Sequence, residues 1–221
     1  TTELHLHSPP ELKEIIEIQL KHSQTTLRYP ITYHPLDAEK SKKIYDDEEV
    51  EVHTIILNHR IPCTGFLFKE KKKQRNLKKE KLRQYDIPVA AFDDIKQGKD
   101  FTDTSGKVIA NSELTSEPVR PRSYAFCSDT LYDERIIPMI KNVDLLYHES
   151  TFLNDKLERA TETYHTTALQ AGIMATKAEV KRLIIGHFSA RYKNLYPLLE
   201  EARQSFPNST LAVEGDVFSV E

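Results

Sequence analysis

The sequence predicts an α/β layered fold, on three observations. From Ser123 onward, short apolar strands alternate with amphipathic helices, the order of a sheet covered by helices. Three of those strands in succession end in a potential metal ligand or acid: Asp129, His148-Glu149 and His187. Strand ends are rigid anchors on a common rim, where α/β folds place ligand sites. The charge is also uneven. Lys69 to Arg83 holds nine basic residues against two acids, a local +7, so the other residues sum to −10 within a net −3.

Element by element, Ser8 precedes Pro9-Pro10-Glu11, a helix start in which serine caps and proline suits the first turn. Leu12, Ile15, Ile16, Ile18 and Leu20 then give an apolar face to His22. Arg28 to Pro35 and Val50 to Leu57 read as strands, with Gly65 to Phe68 a third. The basic run over 69–85 has helix-forming composition but few apolar anchors (Leu77, Leu82, Tyr85), so it is expected to be a poorly packed projecting helix ended by Pro88. Asp94 to Arg122 is polar and turn-rich, with a weak strand signal near Val108. Order returns with a strand at Ser123–Cys127, a helix at Arg135–Lys141 and a strand at Val143–Tyr147. A helix at Thr166–Ala178, a strand at Leu183–Ile185, a helix at Tyr196–Phe206 and a strand at Thr210–Val213 complete the series.

A chain of 221 residues buries a core without staples. Cys63 and Cys127 lie far apart with no metal-finger spacing, which fits free thiols in a reducing compartment. No apolar run approaches the roughly 20 residues of a membrane span. The first residues lack a signal peptide's basic and apolar segments, so a cytoplasmic address is expected, with no membrane partner. An acidic body with one basic stretch suits a polyanionic partner, although a solvated surface helix has the same composition.

His59 follows the strand VEVHTIIL, Asp129 follows YAFC and His187 ends VKRLIIG. Imidazole and carboxylate are the usual ligands of zinc or manganese, and a carboxylate can bridge two ions. Taken singly, each residue is equally a turn former or a hydrogen-bonded core histidine. Only their joint appearance at strand ends points to a site.

The segments LNHRIPCTGF, YAFCSDT, DLLYHESTF, YHTTALQAG and LIIGHFSARY resemble, in order and approximate spacing, the ribonuclease Z family of the metallo-β-lactamase superfold. HESTF resembles the family's HEAT motif, YHTTA its HST motif, and GHFSARY its last histidine motif; ELHLHSPPELKEIIE resembles the strand and helix after its main metal motif. The resemblance covers most of the chain from Glu3. It implies a partial αββα sandwich carrying an inserted, basic, flexible arm. It divides the chain into residues 1–68 and 123–221 of the sandwich and an arm over 69–122.

The implied activity is zinc-dependent endonucleolytic removal of the 3′ trailer from precursor tRNA by a homodimer, with two Zn2+ in the intact enzyme and Mn2+ as an alternative. His59, Asp129 and His187 would hold the metals, Asp129 bridging them. Glu149 and His165 resemble the acid–histidine pair that assists the leaving group, and Arg191 would contact a phosphate. The arm, through Lys71, Lys72, Lys73, Arg75, Lys78 and Lys79, would grip the tRNA by salt-dependent, sequence-independent contacts. After Ile87-Pro88 this chain reads Val89-Ala90-Ala91 where family arms often carry Gly-Pro, so a different arm tip is expected.

The family's His-x-His-x-Asp-His motif is absent from the 221 residues and is expected upstream. His5-Leu6-His7 does not replace it, because Ser8-Pro9 follows, and is read as structural. Three ligands fall short of a complete cage, so this chain alone is expected to bind metal weakly or not at all and to be inactive. Two other readings remain at this point: a phosphodiesterase of the same fold acting on small substrates, and a non-catalytic RNA-binding module.

Overall fold

The computed structural model describes residues 2–221, which form two compact units: one from the segments up to Lys69 and from Arg122 on, the other from Glu70 to Pro121. In the first, β1 (Leu4–Ser8) is followed by α1 (Glu11–His22), and β2 (Ile31–Pro35) pairs with β1 in parallel. Ser8 does not cap α1. It is the last residue of β1, its hydroxyl donates to the Pro9 carbonyl, and Pro10 holds the cap position with no side-chain bond. His5 and His7 project from one face of β1 onto His34 of β2, with ring centroids 5.2 and 4.5 Å apart, and the His5 and His34 nitrogens are 2.9 Å apart. The apolar face of α1 is present, but none of its residues is buried.

β3 (Lys43–Asp46), β4 (Val50–Leu57) and β5 (Cys63–Glu70) open the main sheet. β3 gave no sequence signal, because its lysine, tyrosine and aspartate suit an edge strand that must resist further pairing.

The second unit contains β6 (Asn76–Leu77), α2 (Lys79–Gln84), α3 (Phe92–Lys96), the hairpin β7 (Phe101–Thr102) and β8 (Val108–Ile109), α4 (Asn111–Leu114) and β9 (Thr115–Ser116), which pairs with β6. Two expectations are corrected here. The basic run is not a helix over 69–85: β5 extends through Lys69 and Glu70, and only six residues are helical. Nor is the arm poorly packed. Leu82, Ile87, Ile95, Ile109 and Leu114 form a core of their own, flanked by Leu77, Tyr85, Phe92 and Phe101. The buried Asn111 fastens it, its side-chain amide donating to the Ile95 and Lys99 carbonyls at 2.6 and 2.8 Å.

The first unit resumes with β10 (Ser123–Cys127), α5 (Ile137–Ile140), β11 (Leu145–Glu149), α6 (Leu157–Glu162), α7 (Ala168–Lys177), β12 (Arg182–Gly186), α8 (Tyr196–Ser205) and β13 (Ser209–Leu211). The sheet runs β13-β12-β11-β10-β5-β4-β3, parallel from β13 to β10 and antiparallel where β10 meets β5. Leu145, Leu146, Leu183, Ile184 and Ile185 are buried, the continuous apolar run of parallel strands covered by crossovers. α7 opens with a capping box between Thr167 and Gln170, and its small residues let α8 approach closely. A Cβ on Gly172 would sit 2.4 Å from the Ala202 carbonyl oxygen. The core joins Ile55, Leu67, Leu146, Met174, Leu183 and Leu198, so the strands that carry the chemical residues are fixed from beneath.

Candidate active site

β10, β11 and β12 are adjacent and parallel, and in each the chain leaves the sheet toward one rim. Asp129 lies two residues beyond β10, Glu149 ends β11, and His187 follows β12 directly. Asp129 and His187 both turn sharply there, with φ of 59° and 57°. His59 lies two residues past β4, and His165 enters from the segment between α6 and α7.

These positions converge. One donor atom each from Asp129, His165 and His187 lie within 4.8 Å of one another, and His187 Nε2 is 3.3 Å from Asp129 Oδ1. The ring of His165 lies 5.3 Å from that of His187 and 5.4 Å from that of His59. His59 is thus beside the compact donor group without being part of it; its Nδ1 is held by the Tyr164 carbonyl at 3.0 Å, which leaves Nε2 free.

Glu149 is the hub beneath this group and is fully buried. Its carboxylate accepts from the Thr130 amide at 2.6 Å, the Thr151 hydroxyl at 2.6 Å and the Thr166 amide at 3.1 Å, and both oxygens lie 3.1 Å from His165 Nδ1. Burial alone would push this carboxyl up. The bonds from His165, Thr151 and Thr130 outweigh it and hold it below the usual carboxylate value. The same bond to Glu149 raises the His165 imidazole above its ordinary value, against the pull of burial.

The carboxylate also reaches His187 through Thr151. The Thr151 hydroxyl sits 2.6 Å from Glu149 Oε2 and 3.0 Å from His187 Nδ1. With its proton on Glu149, it accepts from the imidazole N–H and turns His187 Nε2 toward Asp129. Sequence reasoning missed Thr130, Thr151 and Thr166. Their only signal was position, each lying next to or two residues from an acid or histidine of the site.

Cys63 is also close by. Its thiol lies 3.5 Å from the Ser128 carbonyl, and burial, then the Asp129 charge, push its pKa up, which makes it a neutral neighbour. Arg191 lies over the Phe152 ring, 4.9 Å from its centroid, with Nε 3.1 Å from the Ser189 hydroxyl. In the 70–121 unit Lys72, Lys73 and Lys79 are exposed. Arg75 is bound to Thr115 at 2.7 Å and to Glu117, Lys78 donates to the Ser112 carbonyl, and Lys71 has partners of its own.

A carboxylate and imidazoles gathered at the strand ends of a mixed sheet are a donor set that could hold a metal ion, and the fold is the one shared by metallo-β-lactamase fold proteins. The chain is similar to the solved structure of human tRNase Z, short form, with a TM-score of 0.62 at 21% identity over all of this chain and 69% of that one. It is also similar to the metallo-β-lactamase fold protein YhfI from Bacillus subtilis, with a TM-score of 0.60 at 15% identity over 98% of this chain and 65% of that one.

Sequence relatives narrow the class. The chain is 49% identical to a ribonuclease Z of Cytophaga hutchinsonii over 98% of its length and 69% of the relative's. It is 45% identical to one of Bacteroides fragilis, over 97% and 71%. No protein-family profile matches it. The chain belongs to the ribonuclease Z family, a family of endoribonucleases.

Proposed function

We propose that this protein cuts precursor tRNA at the 3′ trailer, using metal held in part by Asp129, His187 and His59 and a proton delivered by His165. The observation that carries the reading is the Glu149–His165 pair lying against the Asp129–His187 group. The donor set fits a borderline cation, since it offers imidazoles and one carboxylate with the imidazoles oriented from behind. A divalent ion held there supplies Lewis acidity toward the scissile phosphate. The reading takes two Zn2+, with Mn2+ as the substitute.

The chain's own residues do the rest. Glu149 fixes His165 with Nδ1 on the carboxylate, which leaves Nε2 on the opposite side of a ring that brings one donor atom to the Asp129 and His187 side chains. In that orientation a protonated His165 hands its Nε2 proton to the departing 3′ oxygen, leaving a 3′-hydroxyl on the tRNA. Glu149 stays ionised throughout, stabilising the charged imidazole. Although His165 also falls within the compact donor group, a ring whose partner favours the charged form suits proton delivery better than ligation.

Arg191, held over Phe152, is placed to meet a phosphate oxygen beside the cut. Lys72, Lys73 and Lys79 supply backbone contacts to the tRNA, together with Lys71; Arg75 and Lys78 hold the arm's own structure and contribute only field. Homodimerisation and a cytoplasmic setting belong to the same reading. Among the described residues no helix is long and apolar enough to cross a membrane.

The test is cleavage of precursor tRNA with zinc or manganese, by a chain that also carries the His-x-His-x-Asp-His motif expected upstream. Asp129→Ala should abolish it. Unchanged cleavage refutes the metal assignment, and cleavage of small diesters with no binding of tRNA refutes the substrate.

A further inference from the structure

We infer that Tyr164 is a stacking platform for a nucleobase next to the scissile phosphate; the inference rests on the RNA-cleaving reading above. α6 ends in a motif where the His165 amide donates to the Ala160 carbonyl at 2.8 Å and the Tyr164 amide to the Thr161 carbonyl at 3.2 Å. Such an ending forces the residue after the cap into the left-handed region, where glycine is the usual occupant. Tyr164 sits there with φ of 59°. Gln24, Asp86 and Glu179 take the same position after α1, α2 and α7, each with a polar side chain. Among the described residues only Tyr164 places a large aromatic ring in this strained setting, and a bulky residue is the least suited to it.

Burial does not explain the choice, because Tyr164 is 38% exposed. Its backbone has a use already, since the carbonyl holds His59 Nδ1, but glycine would present the same carbonyl. The ring remains to be accounted for. It stands edge-on to His59, with centroids 6.3 Å apart, on a cleft of about 280 Å³ lined by His59, Arg60, Glu162, Thr163, Tyr164 and His165. A cleft that small lies below the ~300–1,000 Å³ of sites that enclose a whole ligand, and suits one planar ring system.

The occupant is an unpaired base. An enzyme that cuts at the single-stranded end of a folded RNA meets unstacked bases there, and aromatic side chains are the usual surface for them. Arg60, exposed at the cleft, provides a cation for the phosphate attached to that base. The cleft opens beside His165, so the stacked nucleotide would lie next to the bond being cut.

The experiment uses this chain and precursor tRNA carrying 2-aminopurine on one side, then the other, of the cleavage junction, with EDTA present so that nothing is cut. Stacking quenches 2-aminopurine. Wild type and Tyr164→Phe should quench at one of the two positions. Tyr164→Gly should lose the quench and bind ~5- to ~150-fold more weakly, the range of one base–aromatic stack. Its melting temperature should equal or exceed wild type, because glycine relieves the backbone. Equal quenching by Tyr164→Gly, or no quenching by a wild type that binds the tRNA, overturns the platform. So does a Tyr164→Gly melting temperature several degrees lower, which would make the ring structural. A wild type that does not bind precursor tRNA overturns the substrate assignment and the platform with it.

Discussion

Replacing Glu149 with glutamine changes one buried atom and one charge, and its cost follows from the hydrogen bonds around it. Oε1 takes the Thr130 amide at 2.6 Å, and Oε2 takes the Thr166 amide at 3.1 Å and the Thr151 hydroxyl at 2.6 Å. Whichever way a glutamine amide turns, its NH2 faces a main-chain N–H that cannot rotate away. One buried donor loses its acceptor, at about 1–3 kcal/mol, and the bonds that remain lose the charge that strengthened them. A neutral amide is easier to bury than a carboxylate, which offsets part of the loss. We take the net as ~3 kcal/mol. At ~2–4 °C per kcal/mol for a chain of this size, the melting temperature falls by ~6–12 °C.

The pH dependence has a definite sign. A carboxyl held below 4.5, as Glu149 is, contributes stability above that value and loses it as pH falls through its folded pKa. An imidazole raised above 6.5, as His165 is, contributes below that value and loses it as pH rises through its folded pKa. The gap between wild type and Glu149→Gln is therefore widest between 4.5 and 6.5 and narrows on either side. Calorimetry on metal-free protein at about pH 5.5 and pH 8.5 measures it, and proton NMR follows His165 directly. A melting temperature within about 2 °C of wild type at the lower pH refutes the reasoning. So does a His165 titration that does not move down.

Three further outcomes are expected. Gly172→Ala sets a methyl 2.4 Å from the Ala202 carbonyl, so α7 and α8 must separate; a loss of about 1–3 kcal/mol should appear as a lower urea midpoint, and an unchanged midpoint refutes the close approach. Changing Lys72, Lys73 and Lys79 together to alanine should flatten the slope of log affinity for tRNA against log salt by about 2–3, at ~0.7–0.9 for each phosphate no longer neutralised; an unaltered slope removes these lysines from the interface. His7 is held below its ordinary 6.5 by burial, then by His34 and His5. It contributes stability above 6.5 that is lost as pH falls through its folded pKa, so between about pH 7 and pH 5 wild type should lose more stability in urea than His7→Asn.

What was legible in the sequence was whatever one element decides for itself. The apolar stripes of α7 and α8 and the buried runs of β11 and β12 announce themselves by period, because each has one fixed relation to the core. The 70–121 unit hid its order because its core is drawn singly from short elements. Leu82, Ile87, Ile95, Ile109 and Leu114 share no spacing, and three of them lie in a stretch whose composition reads as turns. Net charge misled there as well, since the run of lysines hides a strand end, a two-residue strand and a short helix. In the site, histidines and acids stand out by type. Thr130, Thr151 and Thr166 do not, because threonine is common at strand ends and its role appears only when three loops close on one carboxylate.

The backbone at the rim carries a related lesson. Among the described residues seven non-glycines have positive φ, and three of them, Asp129, Tyr164 and His187, lie in the site. Each such residue costs on the order of 1–3 kcal/mol against a total stability of about 5–15 kcal/mol. Strain of that size persists only where the surroundings over-determine it, and here they do. The Thr130 amide following Asp129 is fixed on Glu149, the Ser189 amide beyond His187 is fixed on the Thr151 carbonyl, and the amides flanking α6's end are fixed on its last turn. Glutamate, threonine and helix end thus hold the turns that aim Asp129 and His187 at each other. Glu149 therefore stands behind both the orientation of the imidazoles and the geometry of the strand ends, which is why its loss should be felt in stability and in metal affinity alike.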